Sequence, residues 1–277
     1  MPVCARQYLR KMRGGAQAHL IEAGDGRAYV VKFSNNPQHR RILVNETIAS
    51  VLLGYLRLSQ PETAVVELSP AFLAQNPDVF IQLGTRRVPV PPGRHFGSCY
   101  PGDPNRVAVY DFLPDALLDR VANRNEFLGI LVFDKWVANA DGRQSIFFRA
   151  RIKEWSAAAG VHALEKGFLA QMVDHGYVFD GPNWEFRDSP LQGLYCRPLV
   201  YEKVRGWEDF EPWLSQVRGF PAEVLDDALK RIPPEWVEGD EEALEQLLER
   251  LLERRKRAPD LVRGCRAGRL DPFPNWK

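Results

Sequence analysis

The chain has 277 residues, of which 45% are hydrophobic and 26% are charged, a composition typical of a folded globular protein with one large domain or two lobes. Its 37 basic and 36 acidic residues give a net charge of +1, which argues against an overall attraction to nucleic acid or to anionic lipid. No apolar run approaches the roughly 20 residues that span a bilayer, so we expect no membrane association.

The four cysteines stand far apart in the sequence and form no Cys-x-x-Cys pair. This spacing predicts neither a zinc site nor a disulfide framework. The first residues lack the apolar segment of a secretory signal. We therefore expect a cytoplasmic protein with reduced thiols.

The first third of the chain predicts a β-rich region. Two apolar runs, at 18–23 and 28–33, flank a Gly-Asp-Gly-Arg turn and predict a β-hairpin. Apolar positions at helical spacing predict a helix from Arg41 to Tyr55. Two further strands are expected at 64–68 and 79–83.

Residues 84–106 are rich in glycine, proline and arginine, which predicts a surface loop with neither a helix nor a central strand. A last strand at 106–110 follows, and a proline then stops it in the connector 111–114. We therefore predict a boundary between an N-terminal lobe, 1–112, and a C-terminal lobe, 113–277.

The second lobe is predicted to be mainly helical. A nearly continuous apolar run predicts a buried helix at 124–139. Strands at 145–149 and 168–173 enclose a variable insert, and two more helices are expected at 222–232 and 241–257.

Two features could suggest nucleic-acid binding, but both favour structural roles. The basic cluster Arg254–Arg257 ends the last predicted helix, where cations complement the helix dipole. The seven tryptophans are scattered without interleaved basic residues, which favours packing over base stacking. We therefore do not expect a nucleic-acid partner.

Two aspartates each follow an apolar segment. Asp141 stands in the sequence Asn139-Ala140-Asp141-Gly142 after the predicted buried helix, and Asp174 ends the strand at 168–173. A phosphotransferase needs a base and a metal ligand at such positions. Each aspartate could instead serve a simple turn, since Asn-Ala-Asp-Gly is also a good turn sequence.

A lysine and a glutamate precede these aspartates. Lys32 lies in a β-rich run, and Glu46 lies in the predicted helix that follows. In kinases a strand lysine holds the α- and β-phosphates of ATP and pairs with a helix glutamate. Either residue alone would be an ordinary solvated side chain, but the order of lysine, glutamate and two aspartates predicts an ATP-dependent phosphotransferase that uses Mg²⁺.

On these residues the chain resembles the HipA-like kinases, a bacterial branch of the protein-kinase-like folds that is also similar to the phosphatidylinositol kinases. The resemblance lies in short motifs between residues 13 and 180: Gly14-Gly15-Ala16-Gln17, Val31-Lys32-Phe33, Asn45-Glu46, Asn139-Ala140-Asp141 and Asp174-His175-Gly176. It implies a two-lobed α+β fold, with a small β-rich nucleotide-binding lobe, a mainly helical catalytic lobe, and ATP and Mg²⁺ in the cleft between them.

For the nucleotide, the resemblance implies a phosphate-binding loop at Gly14 and Gly15, whose backbone can approach phosphate oxygens. Gln17 would orient this loop, and a flexible leader is the alternative for the two glycines. Lys32 and Glu46 would hold the phosphates. Tyr110, at the end of the last predicted strand, is also assigned to the nucleotide site.

For catalysis and metal binding, the resemblance implies that Asp141 acts on the acceptor hydroxyl while Arg143 offsets nearby charge. Asp174 would bind Mg²⁺. The family pattern places a metal-binding asparagine five residues after the catalytic aspartate, where this chain has Ile146. The nearby amides of Asn139 and Gln144 could substitute, or one metal ion could be lost.

Three functions follow from these expectations. The first is a serine/threonine protein kinase, the second a kinase for a small molecule or a lipid headgroup, and the third a pseudokinase that binds nucleotide and regulates a protein partner. The expected partners are ATP, a hydroxyl acceptor on a protein or small molecule, and, for the third function, the regulated protein.

Overall fold

The computed structural model describes residues 1–155, 165–268 and 271–277. The described residues form ten strands: β1 (Val3–Lys11), β2 (His19–Ala23), β3 (Ala28–Lys32), β4 (Thr63–Leu68), β5 (Phe80–Leu83), β6 (Arg86–Pro89), β7 (Gly93–Cys99), β8 (Val109–Tyr110), β9 (Gln144–Arg151) and β10 (Lys166–Val173). Most of the predicted variable insert, 156–164, lies outside the described residues.

The described α-helices lie mostly in the second half of the chain, and short 3₁₀ turns connect them. They are α1 (Arg41–Tyr55), α2 (Pro70–Gln75), α3 (Asp115–Leu118), α4 (Glu126–Trp136), α5 (Ile152–Trp155), α6 (Trp213–Arg218), α7 (Glu223–Arg231), α8 (Glu241–Arg254) and α9 (Ala258–Gly264). No helix in the described ranges combines the length and the apolar character needed to cross a bilayer.

A closed five-stranded barrel forms the N-terminal lobe, in the order β1-β2-β3-β7-β4. The predicted hairpin is confirmed as β2 and β3, which pair antiparallel from His19↔Val31 to Glu22↔Ala28. The parallel pairing of β1 with β4 closes the barrel and removes its free edges. Buried side chains such as Tyr29, Val31 and Val66 fill the interior.

The prediction of a surface loop over 84–106 is wrong, because β6 and β7 lie within it. β7 is a central strand that pairs with both β3 and β4. The prolines that suggested a loop stand at 89, 91, 92, 101 and 104, so none lies within β7. Pairing on both sides then outweighs the weak strand preference of Gly93–Cys99. β1 was not predicted, since most of its side chains are exposed and its ladder to β2 contains two irregularities.

Helix α1 is enclosed on nearly all sides. Every residue from Ile42 to Leu53 is buried, including the polar Asn45 and Glu46. Buried polar groups need partners inside the protein, so these two side chains must bond to neighbouring segments. The predicted helix is therefore confirmed, and its polar residues face the interior.

A second sheet, in the order β10-β9-β8, follows the barrel. β9 and β10 pair antiparallel in a register that sets Gln144 opposite Val173. This register brings the turn after α4 beside the turn after β10. β8, the last strand before the predicted lobe boundary at residue 112, pairs with β9, and the boundary itself stays a prediction.

The predicted helices of the C-terminal lobe are confirmed as α4, α7 and α8, around a large apolar core. Arg254 at the end of α8 is buried, and its guanidinium donates to the carbonyl oxygens of Trp136 (2.8 Å) and Lys135 (3.1 Å). It thus binds two carbonyls at the end of α4, which is a structural role.

Gly97 of β7 provides a test of the barrel. A Cβ at this position would lie 2.6 Å from Cγ2 of Val66, so Gly97→Ala should lower the free energy of unfolding by roughly 1–3 kcal/mol, the usual cost of overpacking a core. Urea denaturation measures this change. Gly264→Ala is the control, since nothing lies within 4 Å of its added Cβ. Equal stability of both variants would contradict this packing.

Candidate active site

A cleft of about 320 Å³ lies between the barrel and the second sheet. Its lining brings together the loop between β1 and β2 and four side chains far apart in sequence: Lys32, Glu46, Asp141 and Asp174. Two larger cavities, of about 800 and 850 Å³, include none of these residues among their described lining. The smaller cleft is therefore the candidate site.

Lys32 lies between two carboxylates at the base of this cleft. Its Nζ donates to Oε1 of Glu46 and lies 2.6 Å from Oδ1 of Asp174. The side chains of Lys32 and Glu46 are 10% and 4% exposed, whereas that of Asp174 is 37% exposed. The cation and the helix glutamate are thus enclosed, and the second carboxylate remains accessible.

The pKa shifts follow from this arrangement. Burial disfavours the charge of Lys32, but the two carboxylates outweigh this effect and raise its pKa. Burial raises the pKa of Glu46, and Lys32 opposes that rise. The charge of Lys32 lowers the pKa of Asp174 against the effect of burial. Near neutral pH the lysine is therefore protonated and Asp174 is ionised.

Asp141 is exposed at the mouth of the cleft, in a tight turn. Its backbone N–H donates to Oδ1 of Asn139 (3.2 Å), and its own Oδ1 accepts from the N–H of Gly142 (2.8 Å). Its Oδ2 accepts from Nε2 of Gln144 (3.2 Å). Asp141 therefore forms a turn and also borders the cleft, and its catalytic role stays a prediction.

Arg143, which was predicted to offset charge near Asp141, is not part of the cleft lining, although its charge helps to lower the pKa of Asp174. Its guanidinium is fully buried and forms a two-pronged ion pair with Asp134 of α4, with Nε 2.8 Å from Oδ2. A third N–H donates to the carbonyl of Val173 (2.9 Å). The side chain thus connects α4 to the end of β10, where it cannot contact an acceptor hydroxyl.

Asp134 was not predicted from the sequence as part of the site. Burial raises the pKa of its carboxyl while the Arg143 guanidinium opposes this shift, as expected for a buried pair. The available signal was a charged residue inside the apolar run of α4, since such a residue needs a partner in the interior. Its partner, however, lies in another element.

Of the two amides predicted to replace the missing metal ligand, only Gln144 lines the cleft. Asn139 is fully buried, and its Nδ2 donates to Oδ1 of Asp134 (2.9 Å) while its oxygen accepts from the Asp141 backbone. Both ends of that amide are engaged. Tyr110 packs edge-to-face on Phe168, with ring centroids 6.2 Å apart, and does not belong to the cleft lining.

The glycine-rich loop between β1 and β2 covers one side of the cleft. Gly14 has a φ of +118°, a conformation that side chains rarely adopt. Gln17 bonds to the backbone of Gln82 through both ends of its amide, at 2.7 and 2.8 Å. It therefore anchors the loop to β5, as predicted for a residue that orients it.

His175, which follows Asp174, is buried and borders the cleft. Burial lowers its pKa well below the usual range, so the ring is neutral. One ring nitrogen lies 3.1 Å from the carbonyl oxygen of Met172, and the other lies 3.2 Å from the Arg143 guanidinium. Its role in the free protein is thus to support the turn.

An apolar wall completes the cleft and was not recognised from the sequence. It is built by side chains from the barrel and the second sheet: Ala18, Val30, Phe96, Val109 and Ile146. These residues come from five different segments, so no local sequence pattern marks them. The cleft therefore combines the charged group of Lys32 with an apolar lining.

Comparison with known structures supports a protein-kinase-like fold. A crystal structure of the Golgi casein kinase is 12% identical to this chain, with 99% of this chain and 78% of that chain covered and a TM-score of 0.51. A second structure of that kinase, with Mn and ADP bound, is 11% identical, with 95% and 72% covered and a TM-score of 0.49. At 12% identity the first of these structures concerns the fold alone, and it confirms the predicted two-lobed kinase-like architecture.

Comparison of sequences supplies the family. No curated protein sequence matches the chain. The HipA-like kinase family matches it over residues 6–147, which is more than half of its length and includes Lys32, Glu46 and Asp141. The chain therefore belongs to the HipA-like kinase family.

Proposed function

We propose that the protein is an ATP-dependent kinase that transfers the γ-phosphate to a serine or threonine hydroxyl of a protein. The observation that carries this proposal is the position of Lys32 between Glu46 and Asp174, in a cleft that Asp141 borders. Phosphoryl transfer requires mainly the placement of charge around the phosphates, and these four side chains supply it.

The lining suits both parts of ATP. Its apolar side chains, which include Val30 and Val109, suit a flat base, while the ammonium of Lys32 suits phosphates. The backbone of Gly14 and Gly15 can approach phosphate oxygens without steric hindrance from a side chain. Glu46 keeps the ammonium of Lys32 in place from the side of α1.

The donor set fits Mg²⁺. Asp174 offers an ionised, accessible carboxylate, and Gln144 offers an amide oxygen in the same lining. Mg²⁺ is commonly held by one or two carboxylates together with substrate phosphates and water. Across the described ranges there is no cluster of three or more His, Cys, Asp or Glu side chains suited to a metal. Bound at Asp174, the ion would offset negative charge on the phosphates.

Asp141 is the residue that would act on the acceptor. Its exposed carboxylate can accept a hydrogen bond from an incoming hydroxyl and orient the oxygen toward the γ-phosphate. The turn bonds to Asn139 and Gly142 limit its movement. Behind it, Arg143 and Asp134 fix the turn to α4, so we assign Arg143 a positioning role.

A pseudokinase is the second candidate function, and Ile146 is the observation that favours it. This side chain lies in the cleft lining at the position where the family pattern has a metal-binding asparagine. An aliphatic side chain cannot bind Mg²⁺. If Gln144 does not replace the asparagine, the protein would bind nucleotide without efficient transfer.

Lys32 should determine nucleotide affinity. Lys32→Met should weaken ATP binding roughly tenfold or more, because a charge-assisted hydrogen bond to the phosphates is lost. It should also destabilise the fold, because Glu46 stays buried without its partner. The double variant Lys32→Met, Glu46→Gln should recover stability but not binding. Calorimetric titration and urea denaturation measure the two effects, with the exposed Lys203→Ala as control. Unchanged affinity in Lys32→Met would refute the assignment.

Asp174 should determine the dependence on Mg²⁺. Asp174→Asn removes the charge but keeps the shape of the side chain, so we expect it to lose most of the additional thermal stabilisation that ATP provides when Mg²⁺ is present. Thermal unfolding with ATP alone and with ATP and Mg²⁺ separates the contributions. Asp226→Asn, exposed on α7, should behave like the unmutated protein. A full Mg²⁺ effect in Asp174→Asn would mean that the ion binds elsewhere.

Asp141 and Ile146 together distinguish a kinase from a pseudokinase. Asp141→Asn preserves an oxygen for the turn and should leave ATP binding intact, but it should reduce the transfer rate roughly 10²- to 10⁴-fold. Ile146→Asn should raise the rate if the missing ligand limits the enzyme. The assay is transfer of labelled γ-phosphate to the protein itself or to proteins of a cell lysate. ATP binding without any transfer by the unmutated chain would establish the pseudokinase instead.

A further inference from the structure

The segment that follows β10, residues 174–184, has an unusual backbone. Four of its non-glycine residues lie in the left-handed region: Asp174 (φ +58°), Phe179 (φ +60°), Asp180 (φ +57°) and Trp184 (φ +55°). Side chains with a Cβ rarely adopt this conformation, and bulky ones least of all. Such a segment keeps its shape only where surrounding groups hold it.

The side-chain amide of Asn45 holds this segment from α1. Its Nδ2 donates to the carbonyl oxygens of Gly176 (2.7 Å), Val178 (3.1 Å) and Gly181 (2.9 Å). Its Oδ1 accepts from Nε1 of Trp184 (2.8 Å). One fully buried side chain thus binds four residues of the segment and leaves neither of its ends without a partner.

Other contacts between α1 and the segment are close but fewer. A Cβ on Gly176 would lie 2.6 Å from Cγ2 of Ile42, so the helix packs directly against the backbone there. Arg41 donates to the carbonyl of Pro182 (2.8 Å), and its guanidinium lies 4.2 Å from the centre of the Trp184 ring. Asn45 is central among these contacts, next to Glu46 in sequence.

This adjacency links the two ends of the proposed catalytic site. Glu46 holds Lys32, which faces the phosphates, and Asn45 holds the segment that begins with Asp174. Helix α1 therefore sets the phosphate-binding cation and the metal-binding carboxylate relative to each other. As a result, Nζ of Lys32 lies 2.6 Å from Oδ1 of Asp174.

We propose that Asn45 is a positioning residue for the metal site: its amide holds residues 174–184 in their left-handed conformation and so directs the carboxylate of Asp174 into the cleft. The proposal rests on the proposed function for the role of Asp174. The anchoring of the segment by Asn45 is independent of that function, since these hydrogen bonds exist in the protein without nucleotide.

The variant Asn45→Asp tests the anchoring. Aspartate has the same shape, but it presents an oxygen where Nδ2 donates to three carbonyls. Thr47→Val is the matched control, because Thr47 is equally buried on α1 and bonds only to Leu43 within the same helix. Hydrogen–deuterium exchange of the free protein should become faster in peptides from 174–184 for Asn45→Asp and remain unchanged for Thr47→Val. Unchanged exchange in Asn45→Asp would overturn the proposal.

The positioning role is tested by metal dependence. For Asn45→Asp, the Mg²⁺ concentration that gives half of the maximal enhancement of ADP binding should rise on the order of tenfold, as for other groups that orient metal ligands. Affinity for ADP without Mg²⁺ should be unchanged. An equal loss with and without Mg²⁺ would show a general structural role and overturn the positioning assignment.

A milder variant covers the case in which Asn45→Asp does not fold. Trp184→Phe removes the donor to Oδ1 of Asn45 but keeps an aromatic ring at this buried position, so it should shift the Mg²⁺ requirement in the same direction by a smaller factor. No shift would again overturn the proposal. If the unmutated protein binds no nucleotide, the proposed function fails, and the exchange experiment alone decides whether Asn45 holds the segment.

Discussion

The ammonium of Lys32, placed between the carboxylates of Glu46 and Asp174, is the interaction on which the rest of the site depends. A buried carboxylate is costly unless it is paired, and Glu46 is almost fully enclosed. Lys32 belongs to the barrel, Glu46 to α1 and Asp174 to the end of the second sheet. This single cation therefore joins three elements, and any change in their relative positions would leave a charge without its partner.

A second buried pair supports the other half of the cleft. Arg143 and Asp134 are fully enclosed and connect α4 to the end of β10. Asn139 bonds to the same aspartate and to the backbone of Asp141. The exposed residue that we propose for catalysis thus stands on a layer of buried polar groups that are satisfied by one another, which is how a protein holds a reactive side chain in place.

The two buried pairs meet at the turn after β10. His175 lies beside Arg143, and Asp174 lies beside Lys32, so adjacent residues face opposite sides of the turn. The left-handed conformation of Asp174 makes this possible. Strained backbone of this kind is common at functional sites, because the surrounding contacts can hold it there. In this protein those contacts include the Asn45 amide of α1, Lys32 of β3 and the carbonyls of Val137 and Ala138 that follow α4.

The sequence by itself determined the local elements and the order of the charged residues. The hairpin of β2 and β3, the helices α1 and α4, and the strands on either side of the insert each follow from a periodic pattern of apolar residues. The spacing of Lys32, Glu46, Asp141 and Asp174 suggested one cleft, and the fold places all four in its lining. Family motifs are short and local, so they can be recognised in the sequence without knowledge of the fold.

Only the tertiary structure decided which polar residues face the cleft and which are buried behind it. Arg143 is close in sequence to the turn of Asp141 but pairs with Asp134, and Asn139 uses both ends of its amide inside the protein. Tyr110 follows Val109, which lines the cleft, and the alternation of side chains along β8 sets it on the other face, against Phe168. The central strand β7 looked like a loop, since its stability comes from neighbours on both sides. Each of these outcomes depends on contacts between distant segments, which local propensity and spacing do not contain.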